Sequence, residues 1–121
     1  MEALTRENCD FVYVHVEAPD EMGHQGSIEK KVQAIQFLDE RVIGPIKQGL
    51  EEVGEAFRML IMPDHPTPIC IRTHTGDDVP YLLYDSSRIQ EHTWKYNEKE
   101  AAESSHHIAK GCEMIDYLIQ K

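Results

Sequence analysis

The chain has 121 residues, 40% of them hydrophobic, and a formal net charge of -10. That suffices for one folded domain with a modest core rather than a disordered segment. The charge sets the chain against nucleic-acid phosphates, and no apolar run approaches the ~20 residues of a membrane helix, so neither partner is expected.

The N-terminal stretch MEALTRENCD has no apolar core of a secretory signal, and a cytoplasmic location is expected. Cys9, Cys70 and Cys112 are scattered, with no C-x-x-C pair. They read as reduced, buried thiols rather than as a zinc ribbon or redox dithiol.

Residues 10–18, DFVYVHVEA, are rich in branched and aromatic residues and predict a strand. Apolar residues open on both faces, as in a strand buried on both sides, and His15 within it reads as a hydrogen-bonded core histidine. The segment PDEMGHQG follows as a loop, in which Gly23 and Gly26 permit unusual backbone angles. Ser27 is a plausible N-cap for a helix whose apolar residues Ile28, Val32, Ile35, Leu38, Val42 and Ile46 recur at spacings of three and four. Lys30 and Lys31 fall on its solvated side. Gly44-Pro45 should kink or restart it, and Gly54 should close it.

Residues 57–62, FRMLIM, predict a second strand, ended by the proline-rich PDHPTP. Residues 69–75, ICIRTHT, are β-prone, and residues 79–85, VPYLLYD, form a further strand after the turn at Gly76-Asp77-Asp78. A last helix is expected from Glu98 to Ile119, although Gly111 inside it costs ~1 kcal/mol. His92, His106 and His107 read as surface residues. The order β-α-β-β-β-α allows a right-handed parallel crossover between the first two strands, in an α/β layered architecture with ligands at the carboxyl ends of strands.

Asp20-x-x-x-His24, Asp64-His65 and His74 fall after those strands or in the following loop. Aspartate oxygen and imidazole nitrogen both bind divalent transition metals, and five such groups suit most of two sites better than one. Asp20 and His24, four apart, would share a face of one helical turn. Each piece alone has a plain alternative. Asp20 and His24 read as a capping aspartate beside an exposed histidine. Asp64-His65 reads as a proline-rich turn whose aspartate bonds its own backbone. The combination points to a two-metal centre.

The texts DFVYVHVEAPDEMGHQG, RMLIMPDHPTPICIRTHTGDDVPYLLYD and YNEKEAA resemble the cofactor-independent phosphoglycerate mutases, archaeal-type branch, of the alkaline phosphatase superfamily. The resemblance covers nearly the whole chain. It implies a layered alkaline phosphatase-like sheet with flanking helices, residues 1–121 being one C-terminal metal-ligand segment of the catalytic domain. It implies that Asp20, His24 and His74 bind one ion and that Asp64 and His65 help bind another, manganese, magnesium or zinc. The family's remaining aspartate and its serine or threonine nucleophile come from sequence upstream of the matched part. Ser27, Ser86, Ser87, Ser104 and Ser105 match no nucleophile motif.

The expected chain is therefore part of an enzyme that interconverts 3- and 2-phosphoglycerate. It should hold at most one well-formed metal site and be inactive alone. A homoserine kinase-like or phosphonopyruvate decarboxylase-related member of the same branch is an alternative, as are a metallohydrolase using metal-bound water and a non-catalytic assembly module. The small partner is a phosphorylated substrate, and exposed sheet edges suggest a homo-oligomer.

Overall fold

A computed structural model describes residues 1–120; Lys121, the last residue of the expected 1–121 segment, lies outside the described residues. The chain forms two compact units, Met1–Glu55 with Pro66–Gly76, and Ala56–His65 with Asp77–Lys121.

The first unit is helical. After a short helix α1 (Glu2–Thr5) comes α2 (Ala18–His24), where the sequence suggested a loop. The reason is local: Pro19 lies in the first turn, where its missing N–H costs nothing, and Asp20 and Glu21 face the positive end of the dipole. Ser27 caps α3 (Ile28–Leu38) as expected, its hydroxyl accepting the Lys30 N–H at 3.3 Å. The helix runs on through a π-turn, Asp39–Ile43, into α4 (Gly44–Val53). Pro45 has no N–H for the Arg41 carbonyl, and the wider turn moves the ladder, with the Gly44 N–H bonding Asp39 O. Gly54, at φ 79°, ends α4 in the left-handed conformation that glycine adopts without strain.

The apolar stripe is half-buried at Leu38, Val42 and Ile46, as its spacing predicts, but in the first turns the packed face is displaced. Lys31, Ala34 and Leu38 are half-buried, whereas Ile28, Val32 and Ile35 are 69%, 59% and 52% exposed. Residues 11–17 likewise form no strand, because among the described residues nothing pairs with them, and Phe11, Tyr13 and Val14 are exposed. His15 is therefore no core histidine: it is exposed, stacked on Tyr13, with Nε2 3.8 Å from Glu17. The expected parallel crossover is absent with that strand. Residues 69–75 are turns rather than a strand, with the Ile71 and Arg72 N–H groups bonding Pro68 O and the Thr75 N–H bonding Pro66 O.

The second unit holds the sheet. β1 (Arg58–Ile61) pairs antiparallel with β2 (Leu82–Asp85) in the register Arg58 to Asp85. Phe57 and Tyr84 meet with ring centroids 5.6 Å apart. Arg58 donates to Asp85 at 3.0 Å and to the Leu118 carbonyl at 3.4 Å. Asn97 caps α5 (Glu98–Glu103), its side chain accepting the Glu100 N–H at 2.9 Å. The single helix expected to Ile119 breaks there. Ser104 turns its hydroxyl onto the Ala101 carbonyl and takes an extended ψ of 157°, and regular helix resumes only at α6 (Met114–Ile119), after a 3-10 turn at Gly111–Glu113. Met114 is buried. All three cysteines are free and, contrary to expectation, exposed.

Candidate metal centre

Asp20 and His24 lie one turn apart on α2 and share a face, as their spacing requires. His74 comes from the loop after Pro66. His24 Nε2 is 3.4 Å from Asp20 Oδ2, His74 Nε2 is 3.2 Å from Asp20 Oδ1, and the two Nε2 atoms are 3.2 Å apart. Asp20 thus presents one carboxylate oxygen to each imidazole, and the three side chains converge with donor separations of 3.2–3.4 Å. Bonds of about 2.0–2.1 Å in tetrahedral geometry place ligand atoms about 3.3–3.4 Å apart, and octahedral neighbours lie about 3.0 Å apart. The donor separations across this group match those between neighbouring ligand atoms of such a polyhedron. The side chains remain 35–51% exposed.

The His24 tautomer supports the same use. Its Nδ1 lies 3.0 Å from the Arg72 carbonyl, which can only accept, so Nδ1 carries the proton. In the neutral ring Nε2 is then the lone-pair nitrogen and faces Asp20 and His74. Arg72 holds this carbonyl from a left-handed backbone, φ 59°, uncommon for a residue with a side chain. The donor set is chemically suited to a divalent ion of the transition series or zinc.

Asp64 and His65 lie in the second unit, at the end of the segment after β1. Asp64 Oδ1 accepts the His65 backbone N–H at 3.1 Å, and Oδ2 lies 3.4 Å from His65 Nε2. The adjacent pair therefore holds its own turn, the plain alternative that the proline-rich sequence suggested, while both side chains retain metal-ligating atoms.

Beside the first group, Thr67 was missed by the sequence reading, and Lys31 and Gly23 play other parts than those expected of them. Thr67 is buried, 5% exposed, and its hydroxyl donates to Asp20 Oδ1 at 2.5 Å. Lys31 donates to the Thr67 carbonyl at 2.6 Å, so it is not on the solvated face assigned to it; Lys30 is. Gly23 is helical, and its role is close approach rather than an unusual angle: a Cβ there would lie 2.5 Å from Thr67 O. Gly26 does take a positive φ, 68°, and the Arg72 guanidinium crosses over it. Proline on both sides of Thr67 was the one available hint of a held backbone.

The sequence model of the metalloenzyme superfamily matches residues 1–116. The chain belongs to that superfamily. It is 46% identical over 112 residues to the 2,3-bisphosphoglycerate-independent phosphoglycerate mutase of Methanothrix thermoacetophila, covering 93% of this chain and 29% of that protein. The mutase of Methanosarcina mazei is 41% identical over 112 residues, with 92% and 28% covered. A probable mutase of Geobacter sulfurreducens is 41% identical over 123 residues, with 100% and 30% covered. The chain thus spans under a third of these relatives' length. No solved structure matches it. The resemblance read from the motifs and the superfamily agree. The α/β character holds in the coarse sense of helices with a two-stranded sheet. No helix among the described residues is long and apolar enough to cross a membrane.

Proposed function

We propose that this chain is the metal-ligand part of a 2,3-bisphosphoglycerate-independent phosphoglycerate mutase, built on a layered alkaline phosphatase-like fold, and that it is inactive by itself. The supporting observation is the convergence of Asp20, His24 and His74, with donor separations of 3.2–3.4 Å and one Asp20 oxygen toward each imidazole. These residues would hold one divalent ion, manganese, magnesium or zinc. Asp64 and His65 would contribute to a second whose other ligands this chain does not supply. Bound metal would draw charge from phosphoryl oxygens of a small phosphorylated substrate and lower the pKa of a hydroxyl nucleophile. The chain's own contribution is to converge three ligating side chains and to keep the His24 proton on Nδ1.

Two measurements test this reading. Calorimetric titration with Mn2+ should show one site, abolished by Asp20→Ala; equal binding by that variant would refute the ligand assignment. Incubation with Mn2+ and 3-phosphoglycerate should give no 2-phosphoglycerate, and robust turnover would overturn the claim of inactivity.

We further propose a cytoplasmic location and self-association through unpaired backbone. Support for association is the exposed apolar stretch 11–17, together with a sheet of two strands among the described residues. Sedimentation should show concentration-dependent mass, and a monomer at high concentration would refute it.

A further inference from the structure

We propose that Thr67 is the positioning residue of the Asp20, His24 and His74 group, and that Lys31 and Gly23 act on the site only by holding Thr67. The inference rests on the metal-site reading above. It starts from the fact that a carboxylate one third exposed is free to rotate unless something fixes it, and rotamer freedom lost on binding weakens a ligand. The Thr67 hydroxyl donates to Asp20 Oδ1 at 2.5 Å. That bond occupies one lone pair of Oδ1 and sets the plane of the carboxylate. Oδ1 then faces His74 and Oδ2 faces His24.

Thr67 is suited to positioning and not to attack. At 5% exposure its hydroxyl is closed to a substrate. Pro66 and Pro68 flank it and restrict its backbone. Its carbonyl is bonded by the Lys31 ammonium at 2.6 Å, from the second turn of α3. Its other side lies on Gly23, where a Cβ would sit 2.5 Å from the carbonyl oxygen and 2.9 Å from Cγ2. Helix α2, helix α3 and the loop that carries His74 therefore meet at one threonine. Partners that orient metal ligands typically change affinity 10–100-fold when removed, without touching the ion.

The test uses Co2+ as the probe, read by its visible absorption spectrum and by titration, with far-UV circular dichroism and urea unfolding on each variant. Thr67→Val keeps the shape and removes the donor. We expect its Co2+ affinity to fall about 10–100-fold with an altered spectrum, and Thr67→Ser to restore both. Lys31→Met, which loosens Thr67 without opening the interior, should weaken binding to a smaller extent and serves if Thr67→Val does not fold. Unchanged affinity and spectrum in Thr67→Val, or in Lys31→Met where the valine variant is unfolded, would overturn the inference while leaving the ligand set intact. Failure of the unsubstituted chain to bind Co2+ would overturn the metal-site reading and this inference together.

Discussion

Replacing Gly23 with alanine sets two opposed effects against each other. Glycine inside a helix costs roughly 0.5–1 kcal/mol relative to alanine, so by propensity alone Gly23→Ala should stabilise α2. The close approach to Thr67 opposes it. The new Cβ would fall 2.5 Å from the Thr67 carbonyl oxygen, about 0.9 Å short of the 3.4 Å at which ordinary contact begins, and 2.9 Å from Cγ2. The carbonyl is main chain held by Lys31 and flanked by prolines, so it is α2 that must shift. Overpacking of this kind costs about 1–3 kcal/mol. The clash matches or outweighs the propensity, and the net destabilisation is about 0–2.5 kcal/mol. A shift approaching 1 Å also breaks the Thr67–Asp20 bond, so Co2+ affinity should fall about tenfold or more. The assay is urea unfolding followed by far-UV circular dichroism, with midpoint and slope fitted separately, alongside Co2+ titration. A variant more stable than its parent, with unchanged Co2+ affinity, would refute the reasoning.

Acid should weaken the second unit in a defined window. The Ser87 hydroxyl and backbone N–H, followed by Arg58, hold the Asp85 carboxyl down at about 2. A depressed carboxyl stabilises the fold above its unfolded value near 4 and loses that contribution as pH falls towards 2, so the melting temperature should drop over that interval, and less steeply in Ser87→Ala. At the alkaline end, burial first and the Glu98 charge second push the Tyr96 phenol up to about 12, while its hydroxyl donates to the Pro80 carbonyl at 3.1 Å. Stability from this raised group is present below pH 10 and is lost as pH rises through 12, and the late-ionising tyrosine signal in an ultraviolet titration should be reduced in Tyr96→Phe, with Tyr81, also raised by burial, remaining. His24→Ala should abolish Co2+ binding yet leave urea stability nearly unchanged, since the side chain is 41% exposed; a large loss of stability would contradict that placement.

Local signals in the sequence were sound where the physics was local. Ser27 caps the start of α3 and Gly54 closes α4 by short-range bonds or backbone preference, and α5 begins at Glu98, where the sequence reading starts its last helix. The four-residue spacing of Asp20 and His24 likewise determined a shared face before any packing was known. Readings that depended on distant partners failed. Residues 11–17 have strand composition, but a strand exists only with a neighbour to bond, and none is present among the described residues. The apolar stripe of α3 was visible, yet burial follows what lies opposite, and Thr67 drew the Lys31 face inward instead. Thr67 itself could not be found by pattern, since a threonine between prolines is ordinary until its hydroxyl is seen against Asp20.

The acceptor that fixes the His24 proton is the carbonyl of Arg72, a main-chain atom. A side-chain acceptor in that place could be deleted by a single codon change, and the ring would then be free to present the wrong nitrogen. No substitution at position 72 removes a carbonyl. What substitution can alter is only the left-handed turn that aims it, and there glycine would relax the backbone rather than disturb it. The chemical state of His24 is thus insulated from drift at the residue that governs it, and sequence variation at position 72 is compatible with an unchanged ligand.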